Sequence, residues 1–371
     1  MAKKRNFLIF FEITLYIVLG FLLGASLDKI PGASQIMDKG FLGIMILLLM
    51  LYGSIFLQVI IHELGHLIFG LLTGYRFLSF RIANVMIIKK NNKLSFCNLS
   101  IVGTGGQCLM SPPEMKNGKL KNFLYNLGGV ILNLIVSIIG FILISIISNP
   151  YVNLFLVTFI LVGLYVIITN GIPIGSIINN DGYNAYLLHK NKDAQRAFWL
   201  QMKINEQITL EKSLVDMPDE WFEVSSSISD NPMINTINVF RANRLMAQMN
   251  FKDAYFEMDK LLEENYNIVE IHQYLLILDC IYCELVDNKK TKYLEKYKDK
   301  NLQRFILSMK NFPSVLRVNY AYALLKENNL HKANEIKNKF EKMALSYPYT
   351  KDIDVERELI EYAHNIKEAN N

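Results

Sequence analysis

One stretch constrains this chain more than any other: the apolar run from Phe41 to Thr73. Near its end stands His62-Glu63-Leu64-Gly65-His66, set between Val59-Ile60-Ile61 and Leu67-Ile68-Phe69. At ~1.5 Å per residue the run would reach about 50 Å as one straight helix, well past the ~30 Å hydrocarbon core of a bilayer. It must therefore tilt, bend or project beyond the interface. Ionisable groups inside such a segment are expensive and are usually kept for function.

Spacing gives those groups a chemistry. Histidines at i and i+4 lie on one face of a helix and can share a metal ion, while the glutamate between them is free to act on water. A lone histidine on an apolar face reads as a satisfied core residue. Two histidines and a glutamate at metal spacing, inside a span, favour one Zn2+ per chain.

Three further apolar runs complete a membrane half: Phe7–Ser26 behind Lys3-Lys4-Arg5, Phe123–Ile147, and Val152–Ile178, the last interrupted by Gly171 and Pro173. The first is long for a signal peptide and no A-x-A site follows it, so it reads as retained. Four transmembrane helices are expected, at about 7–26, 41–73, 123–147 and 152–178. The segment between the second and third carries Arg76, Arg81, Lys89, Lys90, Lys93, Lys116, Lys119 and Lys121 against Glu114 alone. By the positive-inside rule this segment and both termini are cytoplasmic in a multi-pass membrane protein. Within it, Arg76–Ile82, Val85–Ile88 and Lys93–Phe96 read as a small antiparallel sheet over about 76–98, with Asn91-Asn92 as a hairpin turn.

The rest of the composition mostly excludes. A net charge of +5 leaves no footprint of nucleic-acid binding, and four cysteines are too few and scattered for a disulfide framework. Cys108, and Cys280 with Cys283, read as buried inert thiols. Heavy use of Ile, Asn and Lys suits an AT-rich bacterial genome.

A hydrolytic zinc site needs a third protein ligand. The stretch Asn170-Gly171-Ile172-Pro173 through Asn180-Asp181-Gly182 leaves the fourth span on the same side as the histidines, so Asp181 can reach them. Asn133 stands in an otherwise apolar helix beside Gly128-Gly129. Two roles are open to it: bonding between closely packed helices, or polarising a substrate carbonyl or the reacting water.

These residues together resemble the site-2 protease family of intramembrane zinc metalloproteases, peptidase family M50. The matching features are His-Glu-Leu-Gly-His in a span, Gly129-Val-Ile-Leu-Asn133 in the next, and Asn170-x-x-Pro173 followed by Asp181-Gly182. The resemblance covers roughly 41–186. It implies His62, His66 and Asp181 as zinc ligands, Glu63 as general base, and Asn170 as a residue that holds the substrate backbone extended. The chain departs from the pattern in the longer interval between Asn170 and Asp181, in Asn180, and in Gly171. It carries no PDZ-like insertion.

From about 191 to 371 the chain reads as a soluble, cytosolic α-helical domain following a transmembrane domain at 1–190. Ala242-x-x-Leu245 through Asn250-Phe251-x-x-Ala254 matches Ala321-x-x-Leu324 through Asn329-Leu330-x-x-Ala333. This resembles tetratricopeptide-type helical hairpins and suggests a platform for a cytosolic peptide or protein partner. The fold class expected is therefore mainly α, with four transmembrane helices, a small antiparallel sheet and a tetratricopeptide-like domain.

The function expected is that of an intramembrane zinc endopeptidase. Its substrate would be a membrane-anchored polypeptide in the lipid bilayer: a regulator, a signal-peptide remnant or a peptide precursor. The rival reading is a non-catalytic membrane receptor or scaffold acting through the helical domain. A metal transporter fits poorly, because few polar residues line the other spans.

Overall fold

The computed structural model describes residues 33–369, apart from 91, 102–103, 174–178, 190, 224–230, 264–267 and 288–290; before residue 33 it describes Thr14, Gly20, Phe21 and Gly24. Apart from those four residues, the first expected span, about 7–26, lies outside the described residues. Within them, three helices are long and apolar enough to cross a membrane: Phe41–Leu72, Phe123–Ile146 and Pro150–Gly171. The last ends earlier than the sequence suggests. Its helical bonding stops at Gly171, where Ile172 turns extended ahead of Pro173, as expected for a residue preceding proline.

The chain divides into two compact units, and the division does not follow it linearly. Residues up to Arg76, Gly105–Cys108 and Lys121–His189 form the first; Phe77–Thr104, Leu109–Leu120 and Lys190–Asn371 form the second.

The first unit contains α1 (Ala33–Met37), α2 (Phe41–Leu72), α3 (Phe123–Ile146), α4 (Pro150–Gly171) and α5 (Asp181–Leu188). Its helices invert the usual pattern of a soluble protein. On α2 the buried residues are Gly43, Ser54, Gln58, His62, Glu63, Gly65, His66 and Gly70, while Leu49, Tyr52 and Phe56 are exposed. Ser54, Gln58, His62, His66 and Gly70 recur every four residues, so they form one stripe along the helix. Helix α3 buries Asn126, Gly128, Gly129, Asn133, Ser137 and Gly140 in the same way. With lipid outside there is no hydrophobic gain in turning leucines inward. Small and polar residues take the interface instead, where backbones approach closely and polar groups find partners.

Helices α2 and α3 touch at their glycines. A Cβ on Gly128 would stand 2.6 Å from the carbonyl oxygen of Gly65, so neither helix could come this near with a side chain there. At the end of α2, Thr73 Oγ1 donates to Phe69 O at 2.8 Å, and Gly74 (φ +94°) turns the chain into the sheet.

Four strands form one sheet in the order β3-β2-β1-β4: β1 Arg76–Ile82, β2 Val85–Lys90, β3 Lys93–Asn98 and β4 Gly106–Ser111. The β1–β2 and β2–β3 pairings are antiparallel. Asn92 takes the left-handed conformation (φ +60°) that a tight hairpin turn requires. The fourth strand lies beyond the 76–98 expected for the sheet from the sequence.

The second unit is built from α6 (Lys192–Thr209), α7 (Pro232–Ala247), α8 (Phe251–Glu263), α9 (Glu270–Asp287), α10 (Lys300–Ser308), α11 (Pro313–Ala321), α12 (Leu330–Ala344) and α13 (Thr350–Ala369). The internal repeat is a pair of helical hairpins, α7–α8 and α11–α12, turned by one device. Met249 (φ +56°) and Asn328 (φ +53°) are left-handed, and the asparagine after each caps the next helix: Asn250 accepts from Asp253 N, Asn329 from Lys332 N. Ala242, Ala254, Ala321 and Ala333 are fully buried, which lets the two arms of each hairpin close. Cys280 and Cys283 lie in the core of this unit, and burial raises both thiols.

Candidate metal centre

Three donor atoms converge in the first unit. Nε2 of His62 and Nε2 of His66 are 3.3 Å apart, and Asp181 Oδ2 lies 2.9 Å from the first and 3.3 Å from the second. The histidines come from one face of α2 and the aspartate from the first turn of α5, so two separate helices build the cluster. Among the described residues this is the group of His, Cys, Asp and Glu arranged to hold a metal ion.

Hydrogen bonds fix which nitrogens are bare. Nδ1 of His66 is 2.7 Å from the carbonyl oxygen of Tyr125. A carbonyl only accepts, so His66 carries a proton on Nδ1, and in the neutral ring Nε2 is then the lone pair. Nδ1 of His62 is 2.8 Å from Asn133 Oδ1. The amide of Asn133 has one orientation, because its Nδ2 donates to the carbonyl oxygen of Gln58 at 3.0 Å and to Gln58 Oε1 at 2.6 Å. Gln58 is anchored in turn by Nε2 donating to Phe159 O at 3.0 Å. His62 therefore donates from Nδ1, and its neutral ring offers Nε2 as the lone pair as well.

Two lone pairs and a carboxylate oxygen thus face one point. Asp181 Oδ2 is buried and receives no hydrogen-bond donor. Like-signed atoms brought this close repel, and a cation among them reverses the sign. Two imidazoles and one carboxylate are the protein donor set of a hydrolytic zinc site, so the residues present fit that ion.

Asn180 explains how Asp181 gets there. Its Nδ2 donates to Thr169 O and to Ile172 O, both at 2.7 Å, capping carbonyls that the end of α4 leaves open. Its Oδ1 accepts from Tyr183 N at 2.8 Å and so caps α5. One side chain joins the end of one helix to the start of the next, and Asp181 follows directly. The close approach also needs Gly182, where any Cβ would collide with the carbonyl of Gly171.

Glu63 is buried beside the cluster and packs against the start of β4: a Cβ on Gly106 would stand 2.7 Å from Glu63 Oε1. Tyr125 ties this strand to α3 by donating from its hydroxyl to Cys108 O at 3.0 Å, and its ring stacks on Tyr75 with centroids 4.6 Å apart. Burial and the nearby Glu63 push the Cys108 thiol up, as befits an inert core cysteine. The backbone carbonyl of Asn170 lies against Gly182, next to Asp181, but Asn170 is not one of the three donors. Its Nδ2 donates to Val166 O one turn back.

The structure thus brings together His62, His66, Asp181 and Asn133, sets Glu63 beside them, and leaves Asn170 at the end of α4. Gln58, Tyr125 and Asn180 escape the sequence reading. Gln58 carries a signal, being polar four residues before His62 in an apolar run. The Tyr125 contact is made by a backbone carbonyl, and no residue type announces that.

A family model described as peptidase family M50 matches residues 50–345. No curated protein and no solved structure matches the chain.

Proposed function

Because the chain belongs to peptidase family M50, whose members are zinc metalloproteases, we propose that it hydrolyses a peptide bond in or near the transmembrane segment of a membrane-anchored polypeptide. The observation that carries this reading is the convergence of the Nε2 atoms of two imidazoles, each held through its Nδ1, on a buried carboxylate oxygen. Three apolar helices mark the chain as a membrane protein.

His62, His66 and Asp181 hold one Zn2+. When bound, that ion polarises the scissile carbonyl and brings the pKa of water toward neutrality. Glu63 takes the proton from the attacking water and returns it to the leaving nitrogen. Asn133 keeps its amide oxygen on His62 Nδ1, so that ring always offers Nε2. The charge balance of the loops supports cytoplasmic termini.

The sheet supports a route for substrate. A transmembrane helix shields its carbonyls in its own hydrogen bonds and must unwind before attack. Strand β4 ends the sheet and starts against Glu63, so an unwound segment added there as a further strand would lie beside the base. Asn170 would help to hold that segment extended. The substrate is a regulator, a signal-peptide remnant or a peptide precursor.

Substrates are found by comparing membrane-derived peptides from cells carrying the wild type and the Glu63→Gln variant. The variant should keep its zinc and accumulate uncut substrate. Undiminished cleavage in Glu63→Gln would reject the mechanism.

A further inference from the structure

A cavity of ≈ 240 Å³ lies within the second unit, lined from α7, α9, α11 and α13. Most of its wall is apolar. Its polar lining is out of charge balance: Asp279, Asp352 and Glu356 face one cation, Arg317.

Arg317 is 2% exposed. Its Nη2 donates to Asp279 Oδ1, its Nε donates to Glu356 Oε2 at 2.6 Å, and its guanidinium lies over the Tyr282 ring, 4.5 Å from the centroid. Its Nη1 is buried with no hydrogen-bond partner, and so is Nδ1 of His272 on the same wall. A buried donor left over from an otherwise complete network costs stability and calls for an acceptor. Asp352 shows the other half of the imbalance. Burial, with Glu356 and Glu211 nearby, pushes its carboxyl up to about 7. Glu211 is already engaged with Lys90 and Thr350, so Asp352 is the carboxylate in want of a cation.

We propose that this cavity binds a peptide segment through one basic side chain. The ammonium or guanidinium group meets Asp352 and Glu356, a backbone carbonyl of the segment accepts from Arg317 Nη1, and the aliphatic stem lies along the apolar wall. An anionic ligand would satisfy Arg317 but would add to the carboxylate excess. A purely apolar one would leave both needs unmet. Lysine and arginine combine a cationic tip with an apolar stem, and the backbone beside them supplies the oxygen. The site stands independently of the protease reading, since no metal ligand takes part in it.

The test uses the full chain in detergent, with Glu63→Gln as background so that no cleavage intervenes. Fluorescently labelled peptides carrying one lysine are titrated beside versions with acetyl-lysine, glutamate or alanine at that place, and beside spermidine as a free polyamine. The lysine peptide should bind about tenfold or more tightly than the other three, and spermidine should not displace it. Asp352→Asn should lose that margin without any loss of thermal stability, because asparagine copies the shape of the neutral acid. Glu356→Gln serves as the second variant and should weaken the same peptide. Equal binding of the acetyl-lysine peptide, unchanged affinity in both variants, or binding of spermidine alone would each overturn the proposal.

Discussion

Asn133 Oδ1 and His62 Nδ1 lie 2.8 Å apart across the α2–α3 interface, and this bond decides which nitrogen of His62 is bare. Gln58 decides it one step further back, because its backbone carbonyl and Oε1 both take Asn133 Nδ2. The bond fits the first role open to Asn133 in the sequence, joining closely packed helices, and it reaches the site through an imidazole.

Asn133→Leu should therefore weaken zinc binding by roughly 10–100-fold, the usual effect of removing such a supporting partner. Gln58→Leu should do the same to a smaller degree, since Asn133 keeps its bond to the Gln58 backbone. Competition with a chelator of known affinity checks both, and equal affinities in wild type and Asn133→Leu would refute the relay.

Gly129→Ala tests the packing around the same ring. The new Cβ would stand 2.6 Å from His62 Cε1, closer than any real contact allows, so the imidazole or the helix has to move. Zinc content should fall by about tenfold or more. Gly118→Ala, at a loop position with open space around it and φ +69°, should strain the backbone locally and leave zinc content unchanged. Metal analysis of the two purified variants decides the matter.

Asn180→Ala separates delivery of the carboxylate from its chemistry. The variant keeps Asp181 but loses the cap of α5 and the clasp on Thr169 O and Ile172 O. Loss of the cap alone costs about 1 kcal/mol. Zinc affinity should drop while far-ultraviolet dichroism stays unchanged. Full zinc affinity would show that Asp181 finds the histidines without Asn180.

Much of this was legible in the sequence, and the parts that were not share a cause. His62, Glu63 and His66 declare themselves because three ionisable groups at helical spacing have no reason to sit in an apolar run. Asp181 is harder, since Asp-Gly after a helix is also an ordinary turn; only Asn180 and the glycine contact at Gly182 show how it returns. Strand β4 falls outside the expected sheet because it opens on a glycine, a poor strand residue, and Gly106 is there to make room for Glu63. The helical hairpins were visible as an alanine and asparagine pattern. Their shared left-handed residue was not, because Met249 and Asn328 have little in common as side chains.

The Asp352 carboxyl gives a pH dependence with a definite sign. Its folded value of about 7 lies above its ordinary value of 3.8, so between those limits the folded state holds the proton more tightly. Asp352's contribution to the stability of the second unit is then fully present below about pH 4 and is lost as pH rises through 7. Asp352→Asn removes that loss and should be more stable than wild type above pH 8, by on the order of 2–4 kcal/mol. Hydrogen exchange over Thr350–Ala369 at pH 5 and pH 8 reads the difference. A variant with the same pH response as the wild type would contradict it.

The central claim is that two helices pin one zinc ion through His62, His66 and Asp181. X-ray absorption at the zinc edge, on the purified full chain with its metal content measured, tests this most directly. The account predicts one zinc per chain, two imidazole nitrogens at about 2.0–2.1 Å and a carboxylate oxygen at about 2.0–2.2 Å, with the metal lost in Asp181→Ala. An Asp181→Ala variant that kept wild-type zinc and an unchanged coordination shell would contradict it.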